Sequence, residues 1–161
     1  MSVHPVVASL LRSIDEAYDR RSWHGTNLRG SIRGLDARQA AWRPARGRHN
    51  VWEIVLHAAY WKYVVRRRLT REKRGSFSLR GSNWFSSPAG PTEAGWKEAL
   101  ALLATEHRRL RPVIARLASA RLGPGSRLGP ERLVRGIAAH DLYHAGQIQL
   151  LKRPMPARRN A

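Results

Sequence analysis

Apolar residues recur three and four positions apart along four long stretches of this chain, and none alternates convincingly over a strand-length run. Val7, Leu10, Leu11, Ile14, Ala17 and Tyr18 mark the first stretch, predicting an amphipathic helix from about Pro5 to Trp23 that Gly25 ends. A short helical piece is expected after Asp36, closing at Trp42-Arg43-Pro44, where the proline ring cannot continue a helix. Asn50 has the chemistry of an N-cap, with Glu53 three residues on, and opens a second long helix to about Lys73, closed by Gly75. That helix is rich in large rings: Trp52, Tyr60, Trp61 and Tyr63. From Gly75 to Pro91 glycine, proline and serine make a connection too long for a tight helix hairpin. Thr92 caps a third helix carrying Trp96, Leu100, Leu103, His107, Leu110, Ile114 and Leu117, which Pro112 is expected to kink. A Gly-Pro-Gly loop around Pro124 leads to Pro130 in the first turn of the last helix, which runs to about Arg153 and stops at Pro154. Its inward stripe is Leu133, Ile137, His140, His144, Ile148 and Leu151.

Four amphipathic helices with a long connection in the middle predict an all-α fold. The expected architecture is a four-helix bundle of up-down-down-up order, with a long crossover between the second and third long helices, which then run parallel. At 161 residues the chain is read as one domain over 1–154 with a basic tail over 155–161.

Two histidines stand one helical turn apart in His140-Asp141-Leu142-Tyr143-His144, and His57 lies on the apolar face of the second long helix. Imidazoles four apart on a helix leave from one face about 6 Å apart at Cβ, so both rings can converge on one divalent ion. In the expected bundle His57 lies about 10 Å below one end, with His144 and His140 about 13 and 19 Å below it, within reach of one point. His107 falls about 22 Å down and is read as a core histidine hydrogen-bonded to a neighbour, with a fourth-ligand role as the alternative. His4 and His49 read as surface residues. Burying three imidazoles on facing helices without a charge partner would sacrifice apolar core for little return, which favours a metal over three satisfied core histidines. Three neutral ligands leave the ion its full charge, so with an open position it can lower the pKa of a bound water or thiol.

Composition narrows the chemistry. With no cysteine there is no disulfide framework, thiolate ligand or cysteine nucleophile in the protein itself. Neither a signal peptide nor a membrane span is visible, and a soluble, cytoplasmic protein is expected. The net charge of +19 comes mostly from arginine, 26 of the 30 basic residues. They are densest at Arg66-Arg67-Arg68 with Arg71, Lys73 and Arg74, at Arg108-Arg109 with Arg111, and at Arg158-Arg159. Scattered as they are, without a helix-turn-helix, zinc-finger or aromatic RNA-binding signature, they read as a solvated surface with weak, salt-sensitive attraction to polyanions; no specific nucleic-acid partner is expected.

His49-Asn50-Val51-Trp52-Glu53-Ile54-Val55-Leu56-His57 and His140-Asp141-Leu142-Tyr143-His144-Ala145-Gly146-Gln147-Ile148, with Trp42-Arg43-Pro44 ahead of them, resemble the DinB-like superfamily over nearly the whole chain. The resemblance implies a four-helix bundle, often a homodimer, with a divalent metal held by one histidine of the second long helix and two residues four apart on the fourth. Carried over, these are His57, His140 and His144. It further implies zinc or nickel and a low-molecular-weight thiol, such as bacillithiol or mycothiol, activated as thiolate to attack a small electrophile. Other members of the family are metal-dependent hydrolases, and many have no assigned reaction.

Several residues are expected around such a centre. His24 is a candidate for proton transfer, with helix capping as the alternative. Glu53 is a candidate for orienting a ligand imidazole, with capping as the plainer role. Trp61, Gln147 and Trp84 are candidates for substrate contact; for Gln147 the alternative is a contact between helices. Trp84 and Phe85 are expected either to close over the pocket or to staple the crossover to the bundle. Trp52 and Tyr63 are expected either at a dimer interface or packed within the chain. Alongside the thiol transferase stand three further readings: a hydrolase, a non-catalytic metal- or ligand-binding bundle, and a basic nucleic-acid-associated protein.

Overall fold

The computed structural model describes residues 4–117 and 129–157. Among them every regular element is a helix: α1 (Pro5–Tyr18), α2 (Leu28–Ile32), α3 (Ala37–Ala41), α4 (Val51–Thr70), α5 (Glu93–Ala115) and α6 (Pro130–Lys152). The loop expected around Pro124 and the Arg158-Arg159 pair lie outside the described residues. No helix of the described residues is long and apolar enough to cross a membrane.

Short polar side chains start most of these helices by accepting from amides that a first turn leaves unpaired. Asn27 accepts from the Gly30 amide at 2.8 Å, Asp36 from Gln39 at 2.8 Å, Asn50 from Glu53 at 2.9 Å and Thr92 from Gly95 at 3.1 Å. In α3 the Gln39 side chain returns to the Asp36 amide and completes a capping box. Around Asn50 no such box closes, because the Glu53 carboxylate is engaged elsewhere.

Several predicted boundaries shift. The first helix ends at Tyr18 rather than Trp23: the amides of Asp19 and Arg20 both turn back to the Asp15 carbonyl, and Trp23 is fully exposed. The one-turn α2 was not anticipated. Helix α4 ends at Thr70, where Arg71 takes the left-handed conformation (φ 63°). Gly75 (φ 115°) turns the chain farther on, so that its amide donates to the Tyr63 hydroxyl at 3.2 Å. Pro112 falls in the last turn of α5, which continues to Ala115.

Two apolar clusters hold the helices together. One joins the N-terminal half of α4 (Val51, Trp52, Val55, Ala58, Ala59) to α2, α3, Trp96 and Leu103 of α5, Phe85 and Ile148. The other joins Leu10 and Ile14 of α1 to Val65 and Leu69 of α4, Leu110 and Ile114 of α5, and Val134 and Ile137 of α6. Between these levels lie buried polar side chains: Lys62 on α4, Asp141 and His144 on α6, and Glu106 and His107 on α5. Cross-helix pairs tie α4 to α5 at Trp52–Trp96 and Arg66–Glu106, α1 to α5 at Tyr18–His107 and Asp15–Arg111, and α4 to α6 at Lys62–Asp141. Trp52 and Tyr63 are both buried within the chain, the first against Trp96 and the second against Phe77 of the crossover.

Candidate metal centre

Nearly every residue of α4's first two turns is buried, so His57 has no solvent-facing alternative and points between the helices. On α6, His140 and His144 project one above the other because four residues is close to a full turn. The result is a cluster of three Nε2 atoms: His57 to His140 at 3.0 Å and His144 to His140 at 3.1 Å. Their ligating nitrogens all lie within 4.8 Å of one another, a group able to hold a metal ion. Nitrogens about 2.0–2.1 Å from a common ion would stand about 3.0–3.4 Å apart.

Hydrogen bonding on the far sides of the rings decides where the protons are. His57 Nδ1 lies 2.8 Å from the Asn83 carbonyl oxygen, and His144 Nδ1 lies 2.7 Å from Gln147 Oε1. Oxygen acceptors at both places put the protons on Nδ1 and leave each Nε2 as a lone pair. Both lone pairs face His140 Nε2, which can carry at most one proton. One of the two short contacts therefore has no proton in it, and a cation is what satisfies all three nitrogens at once. The residues present fit a divalent metal.

Burial keeps the rings neutral, as ligation requires. It pushes the pKa of His57 down, that of His140 down to about 3 with His144 and His57 adding to the effect, and that of His144 down to about 4. His140 Nδ1 is buried without a hydrogen-bond partner among the described residues. One residue along, the buried Asp141 pairs with Lys62, whose ammonium also stands 5.0 Å from the Tyr18 ring centroid. Burial raises the Asp141 pKa against the pull of Lys62.

The family model for the DinB superfamily matches residues 18–148, a span that takes in all three histidines and the loop between α4 and α5. The chain belongs to the DinB superfamily. No curated protein and no solved structure matches it.

Around this DinB-superfamily centre the expected residues fall into different places. Within α6 the Gln147 side-chain carbonyl lies 2.7 Å from His144 Nδ1 while its amide donates to the Tyr143 hydroxyl at 3.0 Å. Trp84 stacks on His57 with ring centroids 3.9 Å apart and 13° between planes. It also stacks on His49 at 3.6 Å and 4°. Two rings so close and parallel to one indole cannot share a face of it, so Trp84 is held between them. Phe85 is the staple, buried beside Tyr60 and Phe77. Trp61 is half-buried, 6.3 Å from His57 and 6.1 Å from His140 by ring centroids, its indole N–H donating to Asn83 Oδ1 at 2.9 Å.

Among the described residues the Glu53 carboxylate makes no hydrogen bond to the three histidines or to a first-turn amide of α4. Arg43 binds its carboxylate with two nitrogens, His49 Nδ1 lies 2.9 Å from it, and the Ser87 amide donates at 3.3 Å. Burial alone would raise its pKa, but these bonds, led by Arg43 and His49, hold it down at about 2. His24 is exposed beside Ser22 and makes no hydrogen bond or ring contact with the three histidines, because α1 ends early and the loop after it turns outward. His107 is buried and stacked on Tyr18 at 3.8 Å, but the expected hydrogen bond is not found among the described residues: Nδ1 has no partner there and Nε2 lies 3.9 Å from Asp15.

Sequence reasoning missed Asn83, Arg43 and the stacking role of His49. The His49–Glu53 spacing of four was a signal, since residues so placed face each other along one helical turn. A backbone carbonyl such as that of Asn83 has no counterpart in residue type. Its left-handed φ of 65° aims that carbonyl, and asparagine tolerates the conformation better than most residues.

Proposed function

We propose that this protein is a divalent-metal-dependent enzyme in which His57, His140 and His144 hold zinc or nickel and a low-molecular-weight thiol is transferred to a small electrophile. The single observation carrying this reading is the convergence of three neutral imidazoles, with the Nε2 lone pairs of His57 and His144 both facing His140 Nε2. An ion bound there would keep its double charge and lower the pKa of a coordinated thiol, supplying the thiolate at neutral pH.

The chain's own residues do the rest. The Asn83 carbonyl and the Gln147 amide keep His57 and His144 in one tautomer with Nε2 inward. Trp84 covers one face of His57 and shields it from water. Glu53, the acidic residue expected near the centre, is committed to Arg43 and His49. The ion would supply thiolate, or hydroxide in a hydrolase, without a base from Glu53.

The proposed setting is an up-down-down-up bundle of residues 1–154 with a basic tail over 155–161. Rising numbers on both helices in the pairs Trp52–Trp96 and Arg66–Glu106, and opposed numbers in Tyr18–His107 and Asp15–Arg111, support that order. A homodimer in a thiol-rich cytoplasm completes the reading; the exposed Tyr143 and Leu150 on α6 are its candidate contact surface.

Elemental analysis of untagged protein, alongside His57→Ala, His140→Ala and His144→Ala, is the test. About one zinc or nickel per chain, lost in all three variants, followed by metal-dependent consumption of a thiol with a model electrophile, is the expected result. Wild-type protein that neither carries nor takes up zinc or nickel would defeat the reading. Metal without turnover for any thiol would leave a binding protein.

A further inference from the structure

Trp61 and Asn83, which border the histidine cluster, also line a cavity of about 550 Å³ between α4 and the crossover. Four arginines line it as well: Arg67, Arg68, Arg74 and Arg80. No carboxylate does. Glu72, the acidic residue nearest in sequence, is turned away to Arg66 at 2.6 Å. Arg68, Arg74 and Arg80 enter no ion pair among the described residues, and Arg67 has a buried Nε without a hydrogen-bond partner beyond its contact through Nη1 with the Glu72 carbonyl. Guanidinium groups gathered on one concave wall repel one another unless an anion lies among them, and their planar donors match carboxylate and phosphate oxygens. The remaining wall is aromatic, from Tyr60, Tyr63 and Phe77. Apolar walls with a few convergent polar groups are the usual make-up of a small-molecule pocket, and 550 Å³ is within the usual size.

We propose that this cavity binds a small polyanionic ligand, carrying phosphate or carboxylate groups on an apolar body, and seats it against Trp61 beside the histidine centre. Binding itself stands on the cavity; that the ligand is the co-substrate or electrophile of the metal centre rests on the function proposed above. The path between the two is short. Asn83 accepts from Trp61 through its side chain and from His57 through its backbone carbonyl, so a ligand pressing on Trp61 acts on the residue that orients His57.

The high net charge makes charge-matched controls necessary, since any anion is attracted weakly. Calorimetric titration of chelator-treated, full-length protein at 0.15 M salt with inorganic diphosphate and with propane-1,2,3-tricarboxylate reads binding without metal coordination. One probe or both should bind once per chain. The affinity should fall at least about tenfold in Arg68→Gln/Arg74→Gln, whose residues are exposed and outside the core, and less than about twofold in Arg12→Gln/Arg132→Gln, which removes equal charge elsewhere. The stronger probe identifies phosphate or carboxylate as the source. Arg67→Gln, read separately, should weaken binding with no change in the unfolding curve. Equal weakening in both double variants, or no saturable binding, overturns the proposal. So does binding confined to a single-stranded oligonucleotide, which would make the arginines a polynucleotide surface. Metal content is measured independently, so failure here leaves the metal reading untouched and failure of that reading leaves this one.

Discussion

Replacing Gln147 by leucine tests whether the histidine cluster is organised for metal through the bonds on its outer side. The substitution removes the acceptor 2.7 Å from His144 Nδ1 and the donor to Tyr143, while keeping most of the side chain's bulk and a strong helix former on α6. Without the acceptor, His144 loses the bond that places the Nδ1 proton outward, and the inward nitrogen is as easily the protonated one. Loss of such a partner to a ligating histidine costs about 10–100-fold in metal affinity, or about 1.4–2.7 kcal/mol. Gln147→Glu moves the other way, because a carboxylate accepts the same proton more strongly and makes the imidazole more basic. The assay is a competition titration of zinc against a chromophoric chelator for wild type, Gln147→Leu, Gln147→Glu and His144→Ala, with thermal unfolding of the metal-free forms alongside. The expected order of affinity is Glu, then wild type, then Leu, then the alanine variant, with unfolding temperatures of the two Gln147 variants near wild type. A leucine variant that binds zinc within twofold of wild type would refute the reasoning, and so would a glutamate variant that binds more weakly than leucine.

Three further perturbations probe the polar layer and its surroundings. Lys62→Met leaves Asp141 buried without its cation and should destabilise the fold by about 3–5 kcal/mol, whereas Lys62→Met/Asp141→Leu should recover most of that loss in a denaturant titration. His107 is pushed by burial from 6.5 to about 3, so the unfolded chain takes up the proton first; stability is full above pH 6.5 and drains as pH falls toward 3. His107→Phe preserves a ring against Tyr18 and should lose about 2 kcal/mol less than wild type between pH 7 and 5, measured by urea unfolding at both. Glu53 runs the carboxylate case: its pKa is depressed from 4.5 to about 2, so the stability it contributes is present above 4.5 and lost as pH falls toward 2. Glu53→Gln should flatten the acid limb of the unfolding profile in that window by on the order of 3 kcal/mol, and an unchanged limb would contradict the Arg43–Glu53–His49 account.

The long helices were legible because their starts carry capping residues and their faces a three-four repeat; Asn50, Thr92 and Pro130 stand where the structure starts α4, α5 and α6. Helix α2 was hidden for the opposite reason. One turn has no period to detect, and its capping partner is the amide of Gly30, in a residue that ordinarily argues against helix. The expected end at Trp23 took Gly25 as the stop, whereas Asp19 already leaves the helix and Trp23 is fully exposed.

The same distinction runs through the site. Three histidines at helical spacing on apolar faces are a property of residue type and position, so the cluster is legible in the sequence. What makes those rings metal-competent is different in kind: which nitrogen holds the proton. That is set by a backbone carbonyl at Asn83, brought from a crossover with no regular structure, and by the rotamer of Gln147. Any residue has a carbonyl, so only the left-handed backbone at Asn83, fixed by the tertiary path of the loop, assigns this one to His57. It follows that the crossover belongs to the centre as fully as the helices do. A loop variant that keeps all three histidines but releases Asn83 should lose metal without losing the bundle.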